Sequence, residues 1–284
     1  KLSSGDFNVK LGLRTGDERD LVIQAFNEIG PKLEDHLRLH QSMDLAMKVQ
    51  QKLLPAEDPN MPWLDVAGRS VYCDETGGDY YDYLGYTDNN LQKFTIVVGD
   101  VSGHGISSAL LMASARAYLR QRTSLKGGLA EMITDVNRQL AIDVADSNSF
   151  MTLFCLQVDR DTRMLTWVRA GHDPAILYDP EKDVFEELRG QGIPLGADGS
   201  WVYAQSTKAE FSKRQIILIG TDGIWETRNP GGKMFGKKRV YDLIRRNAVA
   251  DANEIMQAIF DRLNQFRSGK KFEDDVTLVI IKNR

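Results

Sequence analysis

Cysteine and histidine are scarce in this chain, with two of the first and four of the second among 284 residues. Cys73 and Cys155 stand far apart and make no C-x-x-C pair, which argues against a disulfide framework or a structural zinc site and fits a reducing cytosol. A cysteine-dependent phosphatase needs a cysteine and an arginine separated by five residues, but at that offset Asp79 follows Cys73 and Asp161 follows Cys155. His172-Asp173 has the form of an HD hydrolase pair, yet that chemistry needs further histidines, and His36 and His40 fall in the N-terminal helical stretch. Charge of one sign is also lacking. A net charge of -4 with both signs interspersed leaves no footprint for nucleic acid. No basic or aromatic stripe supports a two-metal nuclease or nucleotide hydrolase. There is no G-x-x-x-x-G-K-[ST] phosphate loop and no G-x-S-x-G elbow, and Gly103-His104-Gly105 lacks the rest of a nucleotide fingerprint. No apolar run approaches a membrane span and no signal peptide is recognisable. The chain begins at Lys1, so it is expected to be a piece of something longer.

What is present is a set of aspartates at the ends of apolar runs. Asp100 closes Phe94–Gly99, Asp222 closes Ile216–Thr221, and Asp274 and Asp275 open Val276–Ile281. Asp79 follows Gly77-Gly78 and precedes Tyr80-Tyr81-Asp82. Runs rich in Val and Ile read as buried strands. One Asp beside Gly is ordinary turn chemistry. Several carboxylates at the ends of neighbouring buried strands would repel one another and resist desolvation unless cations sit among them. Hard cations such as Mg2+ and Mn2+ favour carboxylate and carbonyl oxygens.

The segments Gly77–Asp82, Gly99–Gly105, Thr221–Glu226 and Glu273–Leu278, in that order, resemble the PPM-type metal-dependent serine/threonine phosphatases, in their bacterial SpoIIE-like branch. Met47–Pro55, Ala170–Pro174 and Gly192–Gly196 are similar to further signatures of that branch, so the resemblance covers about residues 45–284. It implies an α+β fold, an α/β/α sandwich of two antiparallel sheets flanked by helices. It also implies two Mn2+ or Mg2+ ions and hydrolysis of phosphoserine or phosphothreonine through a metal-activated water. By resemblance Asp100 bridges both metals, Asp79 and the Val101 carbonyl serve one, and Asp222 and Asp274 hold the other. Asp275 and Asp82 are left as carboxylates that would stand behind the metal ligands and orient them. Ser102 stands where many eukaryotic relatives carry a histidine, so no general acid is assigned to His104, and a turn before the following helix is the favoured reading of Gly103-His104-Gly105. No counterpart of the eukaryotic phosphate-binding arginine is identified. The usual substrate of the branch is a phosphorylated STAS-domain anti-sigma factor antagonist in a partner-switching pathway. The alternative is a catalytically silent signalling module of the same fold.

Residues 1–55 read as a partial HAMP-like segment and linker helix, and 56–284 as the phosphatase domain. Thr15 with Glu18 makes a capping-box signature, and Leu21, Ala25, Phe26 and Ile29 follow on one helical face. Pro31 is expected to interrupt or restart that helix. Leu33, Leu37, Met43, Ala46, Gln50 and Leu53 approximate a seam, so a homodimer through the N-terminal helices is expected, with any membrane link lying upstream and this part on the cytoplasmic face. Ala109, Ala113 and Ala117 mark a closely packed helix, and Leu129, Met132, Val136 and Leu140 the inner face of the next. The runs 150–159, 164–170 and 175–178 read as a meander with Asp161 in its first turn, and 202–211 with 215–219 as an antiparallel pair. Helices are expected at about 238–246 and 253–267.

Overall fold

A computed structural model of the chain describes residues 7, 10–12, 16–74, 76–85 and 92–284. The chain divides into two compact units, Lys1–Gln51 and Lys52–Arg284. In the first unit a single helix, α1, runs over Arg19–Gln51. The Thr15 half of the expected capping box lies outside the described residues. Pro31 does not break the helix; it sits inside it. Proline removes one intrahelical hydrogen bond, and a 33-residue helix keeps the bonds on either side.

The second unit is built on two five-stranded antiparallel sheets. Strands β1 (Leu64–Val71), β10 (Val276–Asn283), β9 (Ile216–Gly220), β6 (Ala175–Asp179) and β7 (Val184–Leu188) form the first, in that spatial order. Strands β2 (Tyr80–Leu84), β3 (Lys93–Val101), β4 (Met151–Asp159), β5 (Leu165–Ala170) and β8 (Ser206–Lys208) form the second. Period-two alternation sends one side chain set between the sheets and the other outward. Val66, Ile219, Val279 and Ile281 from the first sheet meet Tyr81, Ile96, Phe154 and Leu156 from the second in the central core.

Each outer face is closed by helices. Helices α2 (Ile106–Thr123) and α3 (Leu129–Asp143) cover the second sheet, where Met112, Leu119, Ile133 and Leu140 pack on Val97 and Cys155. Helices α5 (Lys237–Arg246) and α6 (Ala252–Arg267) cover the first, where Ile255, Ile259 and Leu263 pack on Leu218 and Ile280. A short helix, α4 (Gly223–Glu226), follows β9. Asp251 and Glu254 form a capping box that starts α6. The expected sandwich is therefore present, with all four inner residues of α3 buried. On α2 the buried face runs through Ala109, Met112, Ala115 and Leu119, and Ala117 is exposed, so the four-residue alanine spacing does not mark the packed stripe.

Three local expectations are corrected. The runs at 150–178 are not one meander: β4 and β5 pair, with Asp161 in their turn, but β6 crosses to the other sheet and pairs with β7 and β9. Residues 202–211 and 215–219 do not pair either, because β8 adds to β5 while β9 lies between β6 and β10. Alternation gives a strand two usable edges, and only the layer it joins decides which neighbour it meets. Leu53, the last residue of the expected N-terminal seam, lies beyond the helix: α1 stops at Gln51, and Leu53 and Leu54 pack against the second unit's core.

A carboxylate cluster where the sheets meet

The two metal-expected strand ends converge because β3 and β10 each deliver an acidic residue to the same edge of the sandwich. Asp100 is the next-to-last residue of β3, and β2 pairs beside it with Tyr80 opposite Gly99, which puts Asp79 next to it. On the other sheet β9 and β10 pair with Gly220 opposite Leu278, so Asp222 and Asp274-Asp275 flank the same end. The Thr221 hydroxyl closes the gap between sheets, donating to Asp79 Oδ2 at 2.8 Å while accepting from the Thr277 amide at 3.0 Å.

Asp275 organises backbone. Its carboxylate accepts from the amides of Cys73 at 2.9 Å, Gly78 at 2.9 Å and Asp79 at 3.4 Å. That grip fixes the loop carrying Asp79, and it requires glycine at 78, where a Cβ would lie 2.7 Å from the Val101 carbonyl. Glycine is required at 223 for the same reason, since a Cβ there would collide with the Asp275 carbonyl. The Val101 carbonyl is thus packed against the Gly78 backbone, at the edge of the cluster. Asp274 Oδ1 accepts from the Asp275 amide at 2.8 Å.

The electrostatics are those of like charges forced together. Burial, then repulsion from Asp100 and Asp275, raises the Asp79 pKa well above the ordinary carboxylate value, partly relieved by Thr277 and Thr221. Burial, then Asp222, Asp274 and Asp275, pushes Asp100 up to about 8. Asp222 is raised by burial and then by Asp274, Glu226 and Asp173. Asp275 is raised by burial, against the lowering effect of its Cys73, Asp79 and Gly78 hydrogen bonds. Among the described residues no lysine or arginine forms an ion pair with any of these five aspartates. Nor is any group of three or more His, Cys, Asp or Glu donors gathered tightly enough to hold an ion as it stands. The donor set nevertheless fits a hard cation: it is all oxygen, partly buried and electrostatically uncompensated, and a cation among the carboxylates removes the repulsion.

Other expected residues lie elsewhere. Asp82 is fully buried on the α2 side of its sheet, held by Arg120 Nε at 2.6 Å and Nη2 at 2.7 Å and by the Tyr80 hydroxyl at 2.8 Å. It joins the sheet to α2 and is not among the carboxylates that repel Asp100. The His104 ring is in solvent, 3.4 Å from Asp74, between two glycines of positive φ that turn the chain into α2. Sequence reading missed Thr221, Thr277 and Thr152, whose hydroxyls tie the strand ends together. Their signal is a threonine beside a strand-end aspartate, too common to select. It also missed Lys237, which pairs with Asp173 at 3.2 Å and lies 4.7 Å over the Trp225 ring on the Asp222 side.

Comparison with known proteins gives the family and the fold. The family described as Stage II sporulation protein E (SpoIIE) matches residues 91–284. "Phosphoserine phosphatase RsbU" of Bacillus subtilis is 25% identical over 272 residues, covering 93% of this chain and 79% of the relative. "Protein IcfG" of Synechocystis sp. is 23% identical, and this chain spans only 49% of its length. Among solved structures, the "SiaA-PP2C domain of Pseudomonas aeruginosa" superposes with a TM-score of 0.75 at 21% identity, covering 88% of this chain and 99% of that one. With the matched model spanning well over half of the residues, the chain belongs to the SpoIIE family, a metal-dependent phosphatase family of PP2C fold.

Proposed function

We propose that this chain is a metal-dependent protein phosphatase that hydrolyses phosphoserine or phosphothreonine, acting on a phosphorylated STAS-domain protein in a partner-switching pathway. The observation that carries the reading is the uncompensated cluster of Asp79, Asp100, Asp222, Asp274 and Asp275 at the meeting edge of the two sheets. The naming of an RsbU relative as a phosphoserine phosphatase supports the substrate chemistry. Asp79, Asp100, Asp222, Asp274 and the Val101 carbonyl would hold two Mn2+ or Mg2+ ions. Such ions supply Lewis acidity towards phosphoryl oxygens and a nucleophile at neutral pH. The chain's own residues orient that site: Asp275 pins the Asp79 loop and Thr221 locks Asp79 to the opposite sheet.

Residues 56–284 are the catalytic part in this reading, and 1–55 a HAMP-like signalling helix through which two copies associate. Exposed Leu33 and Leu37 on α1 support that association. Among the described residues no helix is long and apolar enough to cross a membrane.

Turnover of an aryl phosphate and of a phosphorylated STAS-domain protein, with and without Mn2+, tests the function. Metal-dependent hydrolysis that Asp100→Asn abolishes is the expected result. Hydrolysis that persists in that variant at the wild-type rate overturns the site, and no metal-dependent turnover in the wild type leaves the silent signalling module.

A further inference from the structure

His172 lies in the turn between β5 and β6, where the chain leaves one sheet for the other. It is 3% exposed, and the Arg169 guanidinium donates to its carbonyl and fixes the turn. Its Nδ1 is 2.8 Å from Thr152 Oγ1. Thr152 is the register partner of Asp100, and its hydroxyl lies 3.4 Å from the Asp100 carbonyl. Nε2 is buried and has no hydrogen-bond partner. The turn runs into β6, whose Ile176 pairs with Leu218 of β9, so the turn lies beside the Gly220 end of that strand. Gly220 ends β9, two residues before Asp222.

A neutral imidazole has one donor and one acceptor, and a threonine hydroxyl has one proton to give. If Thr152 donates to the Asp100 carbonyl, Nδ1–H must donate to Thr152, and Nε2 is left as an unused acceptor. If Thr152 donates instead to Nδ1, a buried Nε2–H is left unpaired and the Asp100 carbonyl is released. The first arrangement keeps the chain of bonds from His172 through Thr152 to Asp100 and orphans no N–H donor.

We propose that His172 is a positioning residue of the site, a buried strut that ties the Asp100 end of one sheet to the turn lying beside the Asp222 end of the other. It sets the separation of carboxylates that come from different sheets. The two sheet ends have no backbone ladder between them, so their spacing depends on side-chain links such as this one and the Thr221–Asp79 bond. Groups that orient metal-holding carboxylates change affinity by roughly 10- to 100-fold when removed. The inference rests on the reading of Asp100 and Asp222 as metal-holding residues.

Mn2+ binding by the full chain, followed by titration calorimetry and by the rise of the unfolding midpoint with Mn2+, provides the test. His172→Phe fills the same apolar volume without the polar atoms. It is expected to fold with a metal-free midpoint close to wild type and to bind Mn2+ roughly tenfold or more weakly. His172→Gln restores part of the loss, and Thr152→Val mimics it. The double variant His172→Phe/Thr152→Val is no weaker than His172→Phe alone, because both break one link. Wild-type Mn2+ affinity in His172→Phe, or fully additive losses in the double variant, overturns the strut. Should His172→Phe not fold, the Thr152→Val and His172→Gln affinities decide alone, and wild-type values in both overturn it. A wild-type chain that binds no Mn2+ overturns the metal reading itself and the strut with it.

Discussion

Metal-free protein should lose stability as pH rises from about 4 to about 8, and Asp100→Asn should remove the share of that loss that Asp100 carries. An unfolded aspartate ionises near 3.8, whereas Asp100 in the fold keeps its proton until about 8. Between those values the folded chain binds more protons than the unfolded one, so stability falls with increasing pH. It is fully present below the lower value and fully lost above the upper one. At about 1.4 kcal/mol per unit, the upper bound is about 6 kcal/mol, and sharing of the repulsion with Asp222, Asp274 and Asp275 and contact with solvent bring it to about 2–3 kcal/mol. For a chain of this size that is a fall of roughly 5–10 °C in the unfolding midpoint. The assay is thermal unfolding in a chelator across the pH range, with wild type and Asp100→Asn side by side. Their difference isolates this carboxylate from other titrating groups. The variant should be the more stable of the two at pH 8, and added Mg2+ or Mn2+ should erase the wild-type deficit. Parallel curves for the two proteins would refute the claim that Asp100 is held against repulsion.

Asp274 and Asp275 should separate by phenotype. Asp274→Asn is expected to lose more than roughly 100-fold in metal-dependent turnover with little change in unfolding. Asp275→Asn keeps one acceptor for three amides, so it should lose about 1–3 kcal/mol of stability and less turnover; kinetics and denaturant unfolding of both variants check the ranking. Leu33→Lys with Leu37→Lys is expected to convert a dimer to a monomer in sedimentation, and a wild-type monomer would reduce α1 to a tether.

The apolar runs ending in Asp100 and Asp222, and the run beginning after Asp275, determined by themselves that strands deliver carboxylates to their ends. Desolvation leaves a Val- and Ile-rich run few other fates. The inner face of α3 and the turn at Asp161 were equally legible, because helix period and turn chemistry act over a few residues. Strand partners were not. Nothing local to 175–178 or 215–219 tells β6 and β9 to pair with each other across a gap in sequence, since alternation fixes the face and leaves the edge open. The same limit hid the roles of single polar residues. Asp82 and Asp79 sit three positions apart beside tyrosines, yet one is neutralised by Arg120 and the other faces Asp100. Asp275 grips a loop some two hundred residues earlier, and His172 reaches Thr152 on another strand. Those partners exist only once two sheets have packed, because a hydrogen bond at 2.8 Å is decided by tertiary distance and not by position along the chain.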